Sequence, residues 1–383
     1  MIYLDHAAST PMNEEVIQEM MPYLKENFGN PSSIHRLGRV AAKALDSARK
    51  RIADLINASP DEILLTSGGT ESNNTALFGM VHQGKRLITS SIEHDAVLEP
   101  CKKLQRLGCD VVYLPVDSSG MVDLDALRNS ITNDTALVSI MYANNEVGTV
   151  QPVDEIARIC RQHNVPFHSD AVQAVGKIKV DVKESGIDLM SISSHKINGP
   201  KGVGALYVRR GMKIEPLVLG GGQESGLRSG TENVASIVGF GKACQIAKEN
   251  LASNYERLKT LRDRLVRRTT NEITHVTLNG ERERRLPNNA HFTFLGVNGE
   301  DLIIKLDEHG IAASTGSACS VKTQKASHVL MAMGFSHEQI TGSLRLTVGY
   351  GNTQDDIDKT VDILKEIVSD LRSVSPFKAK YDF

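Results

Sequence analysis

The chain has little of what marks a protein for nucleic acid, membranes or resident metals. Its 44 Lys and Arg stand against 46 Asp and Glu, leaving a formal charge of −2 over 383 residues. Charge so balanced and so evenly spread offers no electrostatic footprint for a nucleic acid or an anionic lipid surface. The short basic clusters at 282–285 and 378–380 read as a solvated turn and a solvated tail. No apolar run approaches a membrane span, and "MIYLDHAASTP" carries no basic stretch followed by an apolar one, so neither a spanning helix nor a secretion signal is expected. The five cysteines, Cys101, Cys109, Cys160, Cys244 and Cys319, are odd in number, far apart and free of any Cys-x-x-Cys pair. That argues against a disulfide frame or a zinc site and for a reducing, cytoplasmic compartment. The 12 histidines contain no H-x-x-x-H, so no dedicated metal site is expected. Internal repeats, low-complexity linkers and heptads are also missing.

What is present is a large apolar fraction, 40%, ample for an extensive core. From Ile63 onward the short runs "ILLT", "RLITSSI", "VVYLPV", "ALVSIMYA", "VPFHSDA", "LMSISS" and "GALYVRR" alternate with stretches such as "TESNNTALFGMVHQG" and "VDEIARICRQHN", whose apolar positions recur every three or four residues. Alternation of this kind predicts an α/β fold: a mainly parallel sheet with helices on both faces. Beyond Thr231 one long helical stretch is expected to about Asn271, followed by a smaller α+β unit built from "HFTFLG", "GEDLIIKLDEHG", "LRLTVGY" and the last helical run. The expected division is 15–253 for the large α/β domain, with 1–14 and 254–383 forming the small one.

In open parallel sheets ligands lie beyond the carboxyl ends of the strands. Four such ends carry polar residues: Glu93 and His94, Asn144 and Asn145, Asp170 and Gln173, and Ser193, His195 and Lys196. A lysine there is either a loop lysine reaching solvent or, crowded by other polar and cationic groups, a nucleophile toward carbonyl carbon. Asp170 stands 26 residues before Lys196 (196 − 170), at the end of the neighbouring strand. Carboxylate and lysine at one sheet edge suit pyridoxal 5'-phosphate (PLP), whose ring nitrogen an Asp keeps protonated while its aldehyde bonds the Lys. The alternative for Asp170 is an N-cap of the turn that follows. "LLTSGGTESNN" adds a candidate phosphate site, a strand, Gly68-Gly69, then Thr70 opening a helix, without the G-x-G-x-x-G or G-K-[ST] of nucleotide sites. The glycine-rich "LGGGQESGLRSGTEN" is an irregular loop, either a domain connector or a cover offering Arg228 or Thr231 to a phosphate. Cys319 lies among small and polar residues, the setting of a reactive thiol or of a surface one. Arg345, on a strand, either pairs with a surface carboxylate or clamps a substrate carboxylate.

Taken in order, "YLDHAAST", "TSGGTESNN", "EHDAV", "NNEVGTVQP", "HSDAVQAVGK", "SSHKINGPKGVGALYVR", "GGGQESGLRSGTEN" and "STGSACS" resemble the cysteine desulfurases of the NifS/IscS type, from Tyr3 to beyond Arg345. These belong to the class-V aminotransferase family of fold-type I PLP enzymes, which are homodimers with active sites at the subunit interface. The resemblance implies that Lys196 holds PLP as a Schiff base and moves the Cα proton, while His94 stacks on the ring. Asp170 pairs with the ring nitrogen and Gln173 with the phenolic oxygen; Asn144 meets that oxygen and the substrate carboxylate, which Arg345 clamps. Gly69, Thr70, Ser193 and His195 hold the phosphate, joined by Thr231 from the partner chain. Cys319 takes sulfur from L-cysteine as a persulfide, leaving alanine, and passes it to an acceptor such as an iron–sulfur scaffold protein. A transient cluster ligand shared with such a scaffold is a further implied role for Cys319. The polar residues after Cys319 resemble the long-loop group of the family. Rival functions are a selenocysteine lyase or PLP aminotransferase, a nucleotide-binding domain, and a sulfur-carrying docking hub.

Overall fold

Every β-rich run between Ile63 and Val208 enters one sheet. The computed structural model describes residues 1–316 and 326–375. Across the sheet the strands run Ile63–Thr66, Gly204–Val208, Leu189–Ser193, Phe167–Asp170, Thr135–Ser139, Arg86–Ser90 and Asp110–Leu114. The last five pair parallel with one another. Gly204–Val208 runs antiparallel to both strands beside it, which the alternation of runs does not foretell. The ten residues 194–203 between Leu189–Ser193 and Gly204–Val208 are too few for a helical crossover, so the chain turns straight back. Lys196 closes the single 3-10 turn of that return, Ser194–Lys196.

Ile63–Thr66, Phe167–Asp170 and Leu189–Ser193 are buried along their whole length, as expected where helices cover both faces of a mainly parallel sheet. Alternate side chains enter two cores. Ile88, Val138 and Met190 face one, with Phe167 and Phe240; Leu87, Leu137 and Leu189 face the other, with Leu77.

A separate antiparallel sheet of Ser343–Thr347, Asn289–Phe294 and Val276–Leu278 packs on the helices Leu251–Glu272, Gly299–Glu308 and Gln354–Ser373. The first strand, Ile2–Tyr3, pairs with Ile311–Ala312, so the start of the chain is tied to this second core through Leu4 before it crosses toward the large sheet. The long helix expected after Thr231 is two helices, Val234–Glu249 and Leu251–Glu272. Asn250 parts them: its ψ of 9° leaves the helical region, and its side-chain amide donates to the Ile246 carbonyl at 2.9 Å. Among the described residues no helix is long and apolar enough to cross a membrane.

A polar tie crosses three strands beneath the sheet's carboxyl edge. His168 Nδ1 is 2.8 Å from Ser139 Oγ and its Nε2 is 3.0 Å from Ser191 Oγ, with the ring fully buried. Burial pushes His168 down from 6.5 to about 3, so it is neutral in the fold. Below 6.5 the unfolded chain gains a proton that the fold refuses, so stability is lost as pH falls from 6.5 toward 3. The slope for one such group reaches about 1.4 kcal/mol per pH unit. Denaturant titrations between about pH 6 and pH 4 are therefore expected to show a steeper loss in the native protein than in His168→Asn; equal slopes contradict a neutral, buried His168.

Candidate active site

The 3-10 turn after Leu189–Ser193 brings Lys196 against the segment that follows the first strand. Lys196 Nζ donates to the Ala7 carbonyl at 2.6 Å and to the Ala8 carbonyl at 2.8 Å. That segment is itself fixed, because the Ala7 N–H donates to Thr347 Oγ1 at 2.9 Å and Thr10 Oγ1 donates to the His195 carbonyl at 2.8 Å. Burial, and then the Arg345 guanidinium, push Lys196 from 10.5 down to about 8, with Asp170 and Asp5 pulling the other way. At neutral pH such an amine is unprotonated roughly 300-fold more often than an ordinary lysine.

Asp170 ends the Phe167–Asp170 strand and is 7% exposed. Its Oδ1 accepts the Val172 N–H at 3.0 Å, the capping role, while Oδ2 accepts from Asn73 Nδ2 at 2.6 Å. Both functions coexist in one carboxylate. Asn73 comes from the helix Gly69–Met80, whose first turn no side chain caps. Gly69 allows a close approach there: a Cβ would lie 2.7 Å from Val172 Cγ2 and 3.6 Å from Ser193 Cβ. Thr70 is exposed at the helix start and Ser193 is buried beside it. His195 Nδ1 is 3.3 Å from Ser9 Oγ, and burial, followed by Lys196, Lys201 and Lys177, pushes the imidazole down to about 4.

The other strand ends supply residues already bound to backbone. His94 caps the helix Asp95–Arg106, its Nδ1 accepting the Ala96 N–H at 3.0 Å while the ring is exposed. Glu93 is buried, accepting from Ser90 Oγ at 2.7 Å and the Met141 N–H at 2.8 Å; burial raises it to about 8, a neutral acid. Asn144 Oδ1 accepts the Glu146 and Val147 N–H groups at 2.9 Å, and Nδ2 donates to the Ile92 carbonyl at 3.0 Å. Its second amide hydrogen points at Met141 Sδ, 3.5 Å away. Gln173 Nε2 donates to the same Ala7 carbonyl as Lys196, at 2.9 Å.

Arg345, 4% exposed, lies in the strand Ser343–Thr347. Nη2 donates to Asp5 Oδ1 at 2.8 Å, and Nη1 to the Asn145 carbonyl at 2.9 Å and the Gly316 carbonyl at 3.2 Å. Its buried Nε has no partner among the described residues. The carboxylate it pairs with is thus the partly buried Asp5 and not one on the open surface. Arg228 is not free for an anion: Nε donates to Glu71 at 2.8 Å, and the same carboxylate accepts the Ser67 N–H at 2.9 Å. Thr231 is exposed and borders, with Thr66 and Ser67 of its own chain, a cleft of about 190 Å³. Cys319 lies outside the described residues. Cys101, Cys109, Cys160 and Cys244 are buried, and burial pushes each thiol up, away from thiolate chemistry.

The fold therefore brings Lys196, Asp170, Gln173, Gly69, Ser193, His195 and Arg345 into one neighbourhood at the carboxyl edge of the large sheet, with His94, Thr70 and Thr231 exposed. Sequence reasoning missed Asp5, the Ala7 and Ala8 carbonyls, and Asn73. Asn73 was findable, since it stands four residues after Gly69, on the same helical face. Backbone carbonyls carry no side-chain signal.

A family model described as Aminotransferase class-V matches residues 2–360. The chain belongs to that family. A protein named "Cysteine desulfurase IscS" from Dictyoglomus turgidum is 50% identical over 384 residues, covering 99% of this chain and 98% of that one. A solved structure named "NIFS-LIKE PROTEIN" superposes with a TM-score of 0.89 at 39% identity, covering 96% of this chain and 99% of that one. Another, "SspA in complex with cysteine", gives a TM-score of 0.81 at 37% identity over 91% of this chain and 99% of its own. Enzymes of this family depend on PLP, and the residues here fit it. An amine that burial makes far easier to deprotonate than an ordinary lysine, a buried carboxylate and an uncapped helix start brought close through Gly69 are the three groups that its aldehyde, ring nitrogen and phosphate require.

Asn73→Leu tests the least obvious member. Losing a charge-assisted hydrogen bond of this kind costs about 1.5–3 kcal/mol, so PLP affinity measured by absorbance titration is expected to fall roughly ten-fold or more with the fold retained. Unchanged affinity would contradict a role for Asn73 in orienting Asp170.

Proposed function

We propose that the chain is a PLP-dependent cysteine desulfurase, converting L-cysteine to L-alanine and loading the sulfur on Cys319. The observation that carries this reading is the end-to-end likeness to a named cysteine desulfurase, 50% identical over 99% of the chain. The turn that offers a readily deprotonated Lys196 near Asp170 supports it independently.

When bound, PLP supplies an electron sink for the pair released at the substrate Cα, which weakens the Cβ–S bond. Lys196 would hold the aldehyde carbon and move the proton at Cα; its short, fixed turn keeps Nζ within reach of both. Asp170 would keep a proton on the ring nitrogen, steadied by Asn73. Gly69, Thr70, Ser193 and His195 would hold the phosphate, His94 would cover a ring face, and Gln173 and Asn144 would face the phenolic oxygen. Arg345 would take the substrate carboxylate through its unpaired Nε and Nη2, which asks Asp5 to yield its ion pair. The Cys319 thiolate would form the S–S bond as the S–Cβ bond breaks, with the bonding pair and a proton going to Cβ.

In this reading the enzyme works as a cytoplasmic homodimer, with Thr231 reaching the partner's phosphate site. Sulfur passes to an iron–sulfur scaffold protein or another acceptor, and a cluster ligand shared through Cys319 belongs to the same proposal. The separate cores and the break at Asn250 support a division near residues 253 and 254, with 1–14 joined to the smaller unit.

The test is to supply L-cysteine and a thiol reductant and to follow alanine and sulfide. Native protein is expected to release both in equal amounts, and Cys319→Ser is expected to lose sulfide release at least a hundred-fold (~2.7 kcal/mol in the barrier). Sulfide release undiminished in Cys319→Ser, or keto acid in place of alanine, contradicts the assignment.

A further inference from the structure

Among the described residues Lys177 is the one buried lysine, 6% exposed, and the chemistry above does not use it. It lies seven residues beyond Asp170 (177 − 170), on the turn that follows the Phe167–Asp170 strand. Its Nζ donates to the Gln173 carbonyl at 3.0 Å and to Gln173 Oε1 at 3.2 Å. No carboxylate pairs with it among the described residues, which is rare for a lysine withdrawn from water.

The two contacts at the ends of the Gln173 amide decide which way it faces. A lysine amine donates here, so it meets Oε1; the Ala7 carbonyl can only accept, so it meets Nε2. The Ala7 carbonyl is thereby shared between Gln173 Nε2 at 2.9 Å and Lys196 Nζ at 2.6 Å. We propose that Lys177 is a positioning residue for the Lys196 amine, acting through the Gln173 amide and the carbonyl that Gln173 and Lys196 share. With Nε2 locked on that carbonyl, Lys196 gains less from it as an ammonium and stays a better nucleophile. Freed from Lys177, the Gln173 amide would rotate and leave the carbonyl to Lys196 alone.

The charges around the array are consistent with this role. Asp5 and His6 face it from the N-terminal segment, Asp170 from its strand end, Arg345 from the small sheet, and His195 and Lys201 from the return after Ser193; Arg257 lies beyond His6. Burial, then Lys196 and Arg345, push Lys177 down to about 7. Where Lys196 titrates, at about 8, Lys177 is mostly neutral and steers Gln173 without adding a cation. A hydrocarbon chain of the same length would fill the same space, so simple packing is the competing role.

The inference rests on the proposed function only in taking Lys196 as the reacting amine, and its test reads that amine without turnover. Full-length protein stripped of PLP is pulsed with acetic anhydride across a pH series, and modification of Lys196 is followed by peptide mass spectrometry, with thermal melts to check folding. In native protein the midpoint is expected at about 8. Lys177→Met should move it up by about half a pH unit or more. Lys177→Arg, which cannot shed its charge, should move it down. Gln173→Leu should move it up as Lys177→Met does, and adding Lys177→Met to Gln173→Leu should change nothing further. Should Lys177→Arg fail to fold, Lys177→Met and the Gln173→Leu pair decide alone. An unmoved midpoint in folded Lys177→Met, a shift in the same direction for Met and Arg, or an undiminished Lys177→Met effect on top of Gln173→Leu overturns the proposal. Midpoints that move as expected in a protein that releases no sulfide would leave it standing while the desulfurase reading falls.

Discussion

A lysine amine drawn out of water, with backbone carbonyls and not a carboxylate as its direct partners, is the constraint around which this molecule is arranged. Lys196 reaches its place because the chain has too few residues after Ser193 for a crossover helix and must turn back at the sheet's edge. Its partners reach theirs because the first strand is tied to the second core and then releases the chain across to the first. Arg345, from the small sheet, supplies the cation that keeps the amine depressed, and Asp170, from the large one, limits how far. The candidate site therefore draws on both cores, and neither alone supplies all of its residues.

The same economy recurs in the polar residues nearby. His94 and Asn144 each hold a backbone N–H, and Asp170 both caps a turn and binds Asn73, so a group that would meet a ligand is first locked by the fold. Locking of this kind is what keeps a reacting constellation in register without reorganisation during the reaction. The ion pair of Arg228 with Glu71 fastens the glycine-rich loop to the helix Gly69–Met80, and Glu224 ties it to Arg49 of the helix Arg36–Leu55 and to the Leu65 N–H of the strand Ile63–Thr66. Glu224 and Ser225 adopt left-handed backbone there, at φ of 48° and 57°.

How much of this was legible depended on how local its cause is. The strands of the large sheet could be read because short β-rich runs alternate with helical periodicity, and their polar ends pointed to Lys196, Asp170 and His94. The direction of Gly204–Val208 could not be read from alternation, although the shortness of 194–203 carried the clue. The break at Asn250 is a matter of one backbone angle inside a charged, helix-favouring stretch. Asp5 and the Ala7 carbonyl escaped notice because their partners lie 340 and 189 residues away, and no periodicity reports contacts at such separation. The choice between Arg228 and Thr231 stayed open for a related reason: a guanidinium in a glycine loop looks free until the fold brings Glu71 to it.

The central claim is that the amine at position 196, and no other, joins the PLP aldehyde. Its most direct measurement is to reduce the purified protein with borohydride, digest it and locate the pyridoxyl mass by tandem mass spectrometry. The account predicts a single modified peptide with the mass on Lys196 and loss of the yellow absorbance. A pyridoxyl group on Lys177 or on any other lysine, or none at all after reconstitution with PLP, contradicts it.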